Sequence, residues 1–199
     1  QMSALTTIHF ASNYSFCVLD GYPALTSLHI NNGEKYSKYS EQQLIVARLL
    51  INQYPFKDTD SVLDIGCGDG KITKEIACKT PYGHVIGIDP SKSMIDFATH
   101  THQSGNVSFQ LGLASTIDFD NVFDVITAFS CLHWEPKQKE ALLCFKKALK
   151  PGGAIVLAIP GPDFTLRKAL KQVCESPSWA AFFSEYQSPG RIWTTNEYA

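Results

Sequence analysis

Three glycines and two aspartates stand at spacings that suit a binding site for a nucleoside. Residues 62–70 read Val-Leu-Asp-Ile-Gly-Cys-Gly-Asp-Gly, and Asp89 follows Gly70 by nineteen residues. An apolar strand that breaks into a glycine-rich turn and leads into a helix lets a ligand approach the backbone, because Gly66, Gly68 and Gly70 carry no side chains. An acid at the end of the next strand accepts hydrogen bonds from ribose hydroxyls in dinucleotide sites. We therefore expect a nucleoside at this turn.

The spacing of the glycines discriminates between classes of nucleotide. A dinucleotide fingerprint, G-x-G-x-x-G, would require a glycine at the position that Lys71 occupies. The pattern here is G-x-G-x-G, with Asp64 preceding it on the strand, and an acid at that place suits a cationic ammonium better than a pyrophosphate. A nicotinamide dinucleotide and a glycine turn that binds nothing are the alternatives.

A second group of polar and aromatic side chains follows a later apolar run. Residues 129–134 read Phe-Ser-Cys-Leu-His-Trp, and open α/β sheets place ligand-contacting groups beyond the carboxyl ends of their strands. His133 is either a general base for a hydroxyl or amine substrate or a partner of the backbone. Trp134, taken by itself, suits a core anchor at the edge of the sheet.

The predicted elements alternate between strands and helices. A helix begins at Ser40, where Ser40 and Gln43 form an S-x-x-Q capping box, which is the alternative to a ligand contact for Gln43. The alternation predicts a parallel sheet covered by helices on both faces, hence an α/β fold. The predicted strands are 61–65, 85–89, 106–110, 123–129 and 154–159, and the later helices begin near 71, 91 and 136. Ser91 is predicted to cap its helix, and residues 150–153 are predicted to form a turn.

The composition limits the classes of function. The chain has 199 residues, with 17 basic and 19 acidic side chains and a net charge of -2, so a general nucleic-acid binder is not expected. No apolar stretch is long enough to span a membrane, and no secretory signal opens the chain. Six cysteines without C-x-x-C spacing indicate reduced thiols in the cytoplasm. We see no acidic cluster that would hold a catalytic metal.

The glycine pattern resembles the first motif of the class I S-adenosylmethionine (SAM)-dependent methyltransferases, and residues 87–94 resemble their second-strand segment. The resemblance implies a Rossmann-like methyltransferase fold and SAM as cofactor. It also implies that Asp89 holds the ribose hydroxyls, although the acid that usually receives the adenine amino group is replaced by Gly112-Leu113-Ala114. The cofactor-binding residues that it implies are Asp64, Gly66, Cys67, Gly68, Gly70, Asp89, Pro90, Met94, Leu113, Ala114 and Ser130.

The Leu-His-Trp triplet and the Lys-Pro-Gly-Gly at 150–153 resemble a narrower branch, the trans-aconitate and juvenile hormone acid methyltransferases. This resemblance implies a small-molecule carboxylic acid substrate, with Gln43 and Trp134 at its carboxylate and His133 nearby. It also implies that residues 179–189 cap the substrate pocket. A carboxylate is ionised at pH 7 and needs no general base. The alternatives are a hydroxyl-directed O-methyltransferase and a non-catalytic SAM-binding remnant or partner.

We divide the chain into an N-terminal extension of unclear structure, 1–33, and a methyltransferase domain, 34–199. The family closes its sheet with a hairpin beside the fifth strand, and the chain ends before such a hairpin, so we expect a domain shortened at its C-terminus. Unless residues 1–33 contribute strands, the fifth strand then has an exposed edge. Such an edge is a surface for pairing, possible in a homodimer.

Overall fold

The fold is built around one seven-stranded sheet. The computed structural model describes residues 6–10, 14–19, 40–159, 172, 175–177 and 180–181. Its strands are β1 (Thr6–Phe10), β2 (Tyr14–Leu19), β3 (Ser61–Ile65), β4 (His84–Asp89), β5 (Val107–Leu111), β6 (Phe123–Phe129) and β7 (Leu149–Ala158). Its helices are α1 (Glu41–Gln53), α2 (Lys71–Lys79), α3 (Lys92–His102) and α4 (Gln138–Ala148), with 3₁₀ turns at Ala114–Thr116 and Leu132–Trp134.

The strand order creates a switch point at the centre of the sheet. The order is β1-β2-β7-β6-β3-β4-β5, and the five strands from β3 to β7 pair in parallel. The chain leaves β3 toward β4 and β5 on one side and later returns to β6 and β7 on the other. Loops after β3 and β6 therefore lie side by side at the carboxyl edge, where open α/β sheets bind ligands.

Two apolar cores confirm the prediction of helices on both faces of the sheet. Leu63 and Phe145 belong to one cluster, in which α4 covers the sheet. Val62, Leu50 and Ile76 belong to the other, in which α1 and α2 cover the opposite face. Neighbouring residues of β3 thus point to different cores, as the pleat of a strand requires. Among the described residues, no helix is both long and apolar enough to cross a bilayer.

The expected exposed edge is not present, because part of the N-terminal extension joins the sheet. Strand β2 pairs in parallel with β7, from Ser15 opposite Ala154 to Leu19 opposite Ala158, and β1 pairs antiparallel with β2. The backbone N–H and C=O groups at this edge of β7, which would otherwise be open to pairing with another chain, therefore pair with β2 of the same chain. The exception stated with that expectation therefore applies: residues 1–33 do contribute strands, and pairing between two copies through the edge of β7 loses its premise.

Three local predictions also need correction. Ser40 precedes α1 as expected, but its side chain makes no capping hydrogen bond, so the capping box does not form. Ser91 likewise precedes α3 without capping it through its side chain. The turn predicted at 150–153 lies within β7 as an irregularity in its pairing with β6, and Gly152 there has φ +83°.

Candidate functional site

The glycine-rich turn is shaped by the protein as much as for a ligand. Gly66, Gly68 and Gly70 have φ values of +68°, +54° and +82°, a region that side-chain-bearing residues rarely adopt. A Cβ on Gly66 would lie 2.3 Å from Cys131 Cβ, and one on Gly70 would lie 2.8 Å from Ala98 Cβ. The first and third glycines therefore also admit neighbouring protein atoms, a second reason for glycine that the sequence did not suggest.

Asp89 links the end of β4 to the glycine-rich turn. Its Oδ2 accepts a hydrogen bond from Gly68 N–H at 3.0 Å, and its Oδ1 accepts one from Ser91 N–H at 2.8 Å. Burial raises the pKa of the Asp89 carboxyl above its ordinary value, against the lowering effect of these two bonds. Carboxylate oxygens accept more than one hydrogen bond each, so Asp89 retains acceptor capacity for a ligand.

Apolar side chains lie open beside Asp89. Asp89 pairs with Leu111 across β4 and β5, and Gly112 N–H donates to the Asp89 carbonyl at 3.1 Å. Leu111 and Leu113 are 59% and 47% exposed, whereas Met94 is buried and Pro90 is exposed. The polar end of β4 thus adjoins an exposed apolar surface that a flat ring could cover.

Asp64 lies deeper and is held by two hydroxyls that sequence reasoning missed. Its Oδ2 accepts from Thr73 Oγ1 at 2.6 Å and its Oδ1 from Thr127 Oγ1 at 2.7 Å. Burial raises the pKa of Asp64 to about 6, although both threonines lower it. The sequence did hold a signal for Thr127, since a hydroxyl inside an apolar strand needs a buried hydrogen-bond partner. The structure identifies that partner, because Thr127 lies opposite Asp64 in the pairing of β3 with β6.

The raised pKa of Asp64 predicts a pH dependence of stability. The unfolded state releases this proton near pH 4 and the folded state near pH 6, so the free energy of unfolding falls as pH rises through that window. The shift corresponds to about 3 kcal/mol. Urea unfolding of the wild type and of Asp64→Asn, compared between pH 3.5 and 7, should show a flatter profile for the variant. Parallel profiles would contradict the assignment, and the exposed Asp96→Asn serves as the control.

A small, partly open cleft lies between α1 and the glycine-rich turn. Gln43 borders it from α1, and Lys71 borders it from the start of α2. Gln43 Oε1 is buried, and nothing in the described ranges donates a hydrogen bond to it. The described residues that line the cleft are Ser40, Gln43, Leu44, Ala47, Asp64, Gly66, Cys67, Gly68, Asp69, Lys71, Ile72 and Phe129.

The loop after β6 begins with a strained residue. Ser130 has φ +55°, and its N–H donates to Ala158 O at 2.8 Å. The Cys131 thiol donates to Ile65 O at 3.0 Å, which fixes this loop against the end of β3. Positive φ at a residue with a side chain occurs preferentially at functional sites.

His133 and Trp134 occupy the 3₁₀ turn that follows. Their ring centroids are 4.9 Å apart, and His133 is 5% exposed while Trp134 is half-buried. Neither is among the described residues that line the cleft, although Phe129, at the end of the same strand, is.

The structure brings most of the predicted site residues to one edge of the sheet. Asp64, Gly66, Cys67, Gly68 and Gln43 meet in the cleft. Asp89, Pro90, Met94, Leu113 and Ala114 gather around the end of β4, and Ser130, His133 and Trp134 follow β6. Asp69 and Lys71, to which the sequence analysis gave no role, also border the cleft. The segment 179–189, expected to cap a substrate pocket, lies almost wholly outside the described residues.

Comparison with known proteins identifies a methyltransferase family and similar curated methyltransferases. The family model described as "Methyltransferase domain" matches residues 56–198. Trans-aconitate 2-methyltransferase of Methylobacterium radiotolerans is 29% identical over 164 residues, covering 81% of this chain and 62% of that protein. Juvenile hormone acid O-methyltransferase of Bombyx mori is 28% identical over 172 residues, covering 80% and 62%. The chain therefore spans about three fifths of the length of these curated relatives.

Solved structures show the same fold. A Haloferax volcanii methyltransferase, solved in complex with the Trm112 methyltransferase activator, aligns with a TM-score of 0.67 at 18% identity. The alignment covers 83% of this chain and 69% of that one. Other solved structures of this fold bear the name SAM-dependent methyltransferase.

Proposed function

The chain belongs to the methyltransferase domain family, whose cofactor is SAM, and on this premise we propose that it methylates the carboxylate oxygen of a small organic acid. The carboxylic acid class is supported by the similarity to proteins named for trans-aconitate and juvenile hormone acid. A small-molecule acceptor, in preference to a nucleic acid, is supported by the net charge of -2. The observation that carries the proposal is the convergence of Asp89, the glycine-rich turn and the Gln43 cleft at one switch point.

The residues at this edge fit the cofactor. Asp89 is an ionisable acceptor at the end of β4, where ribose hydroxyls need one. The exposed Leu111 and Leu113 beside it offer apolar contact to an adenine ring, and no acidic side chain among residues 112–114 contributes to that contact. The cleft extends from the glycine-rich turn toward α1, which leaves room for the amino-acid end of the cofactor. We propose that Asp64, Cys67, Gly68 and Ser130 border the bound molecule.

The chemistry requires alignment more than acid–base catalysis. When bound, SAM supplies a methyl group on a positively charged sulfur; the carboxylate oxygen forms a bond to the methyl carbon, and the C–S electron pair stays on sulfur. The carboxylate, with an ordinary pKa of about 4.3, is ionised at neutral pH. The protein then has to hold the oxygen in line with the methyl carbon and the sulfur, and positioning of that kind accounts for much of the acceleration.

We assign that positioning to Gln43 and Trp134. The Gln43 amide N–H₂ and the Trp134 indole N–H are donors, and a carboxylate is an acceptor. His133, buried against Trp134 with ring centroids 4.9 Å apart, orients the indole. If the acceptor were a hydroxyl, His133 would instead be the base that removes its proton.

Replacement of Trp134 by Phe should separate binding of the acid from binding of the cofactor. Phe keeps an aromatic ring next to His133 but removes the indole donor, so the KM for the acid should rise about tenfold. The dissociation constant of S-adenosylhomocysteine (SAH) should stay unchanged, which calorimetry would measure. A Trp134→Phe enzyme with an unaltered KM would remove Trp134 from the substrate site.

A substrate screen tests the proposed acceptor directly. Purified protein is incubated with SAM carrying a labelled methyl group and a panel of carboxylic acids, each matched with its alcohol or phenol counterpart. We expect label in methyl esters that mild base hydrolyses. Transfer to the hydroxyl compounds alone, abolished by His133→Asn, would favour the hydroxyl-directed reaction. SAM binding without transfer to any acceptor would favour a non-catalytic SAM-binding protein.

We further propose that the protein works in the cytoplasm. The structure describes four free cysteines, Cys67, Cys78, Cys131 and Cys144, and reduced thiols are typical of that compartment. Imaging of a tagged chain by fluorescence microscopy tests this, and accumulation in a secretory compartment would contradict it.

A further inference from the structure

Two buried acceptors face the same cleft without a hydrogen-bond donor. One is Gln43 Oε1, on the first turn of α1, and the other is Asp69 Oδ2, in the glycine-rich turn. Asp69 is 5% exposed, and its Oδ2 lies 3.3 Å from Lys71 Nζ in an ion pair that falls short of hydrogen-bond geometry. Buried acceptors in folded proteins usually have donors. A ligand bound in the cleft could therefore supply the hydrogen-bond donors that these two acceptors lack.

The chemistry of the two acceptors restricts which group this is. A substrate carboxylate brings oxygens only and cannot satisfy another oxygen, whereas an ammonium brings three donors and a positive charge. The side-chain ammonium of Lys71 already lies near the Asp69 carboxylate. Asp64, which the sequence pattern suggested for a cationic ammonium, already accepts two threonine hydroxyls, whereas Asp69 Oδ2 accepts no hydrogen bond, so the need for a donor is greater at Asp69. The two acceptors, neither of which accepts a hydrogen bond, thus point to a primary ammonium on the ligand.

We propose that Asp69 and Gln43 hold the α-ammonium of SAM, and that Lys71 exchanges its contact with Asp69 for the carboxylate of the cofactor. This inference rests on the proposed function, since it assigns the amino-acid end of that cofactor. Lys71 is the single cationic side chain among the described residues that line the cleft. Gln43 then accepts from the cofactor through Oε1 and donates to the substrate through its amide N–H₂, so it joins the two binding sites.

Calorimetry with SAH and SAH lacking its amino group tests the ammonium contact. Asp69→Asn keeps the shape of the side chain and removes its charge, so SAH should bind between tenfold and 100-fold more weakly, to order of magnitude. Deaminated SAH should bind Asp69→Asn and the wild type alike. Equal weakening of both ligands would overturn the assignment, because it would mean that Asp69 acts only through the structure of the turn.

Gln43 provides an independent test from a different element. Gln43→Leu removes the acceptor and should weaken SAH about tenfold without affecting deaminated SAH. Gln43→Glu restores an acceptor and adds a negative charge, so it should bind SAH at least as well as the wild type. If Gln43→Leu binds SAH unchanged, Gln43 does not touch the ammonium and the assignment fails.

Lys71→Met tests the carboxylate contact. It should weaken SAH but should not weaken decarboxylated SAM, since that molecule keeps the ammonium and lacks the carboxylate. Asp96→Asn, which breaks an exposed ion pair with Lys92 on α3, is the control for a change of surface charge. Equal affinities of Lys71→Met and wild type for SAH would remove Lys71 from the site.

The binding data also separate this inference from the proposed function. If wild-type protein binds neither SAM nor SAH nor 5′-methylthioadenosine, the proposed function fails and this inference fails with it. If the wild type binds SAH but Asp69→Asn and Gln43→Leu bind it equally well, the inference alone is overturned.

Discussion

Asp89→Asn is expected to raise the dissociation constants of SAM and SAH by about 100-fold, the largest effect on binding that we predict for a single side chain. Asp89 is the ionisable acceptor at the tip of β4, and two ribose hydroxyls would each donate to it. Hydrogen bonds to a charged group contribute about 1.5–3 kcal/mol each. Loss of the charge and of one acceptor oxygen should therefore cost about 3 kcal/mol of binding free energy.

The measurement has to separate cofactor binding from folding, since Asp89 also accepts from Gly68 N–H and Ser91 N–H. An Asn side chain keeps one of these contacts, so the free energy of unfolding should fall by only about 1–2 kcal/mol. Calorimetry at a temperature well below the midpoint of thermal unfolding gives the affinities. Asp96→Asn, an exposed acid on the adjoining helix, is the matched control. An Asp89→Asn protein that is folded and binds SAH normally would refute the ribose assignment.

Gly66→Ala is expected to cause the largest loss of stability that we predict, about 2–5 kcal/mol of the free energy of unfolding. Two effects combine. The backbone at Gly66 has φ +68°, which costs a residue with a Cβ about 1–2 kcal/mol. The new Cβ would also lie 2.3 Å from Cys131 Cβ, and relief of such overpacking typically costs a further ~1–3 kcal/mol. Domains are stable by only about 5–15 kcal/mol.

Two other glycines separate these effects in thermal and urea unfolding. Gly152 has φ +83° but a Cβ there meets no atom within 4 Å, so Gly152→Ala should show the conformational cost alone. Gly105 has neither feature, and Gly105→Ala should leave the free energy of unfolding nearly unchanged. Cys131→Gly in the Gly66→Ala background should recover the steric part. If Gly66→Ala lowers the free energy of unfolding no more than Gly152→Ala does, the loop after β6 moves to accommodate the new Cβ and the steric prediction is wrong.

Much of this protein follows from local patterns in its sequence. Apolar runs alternating with helical patterns predicted all five strands from β3 to β7 and the helices between them, because the central strands are buried on both faces and each helix on one. The motif from Asp64 to Gly70 identified the turn, since three glycines so close together serve few other purposes. These features depend on contacts within a few residues, which the sequence displays directly.

The tertiary structure decided what depends on distant partners. Residues 6–19 showed no sustained period, and their strands became evident only through pairing with β7, more than 130 residues later. Thr73 and Thr127 surround Asp64 because β3, α2 and β6 meet at the switch point. Gly66 has to be glycine because Cys131, sixty-five residues away, packs against it. Sequence alone specifies which groups are present, but the charge state of a buried acid, the direction of an amide and the neighbour of a glycine arise from packing between elements that the chain brings together only when it folds.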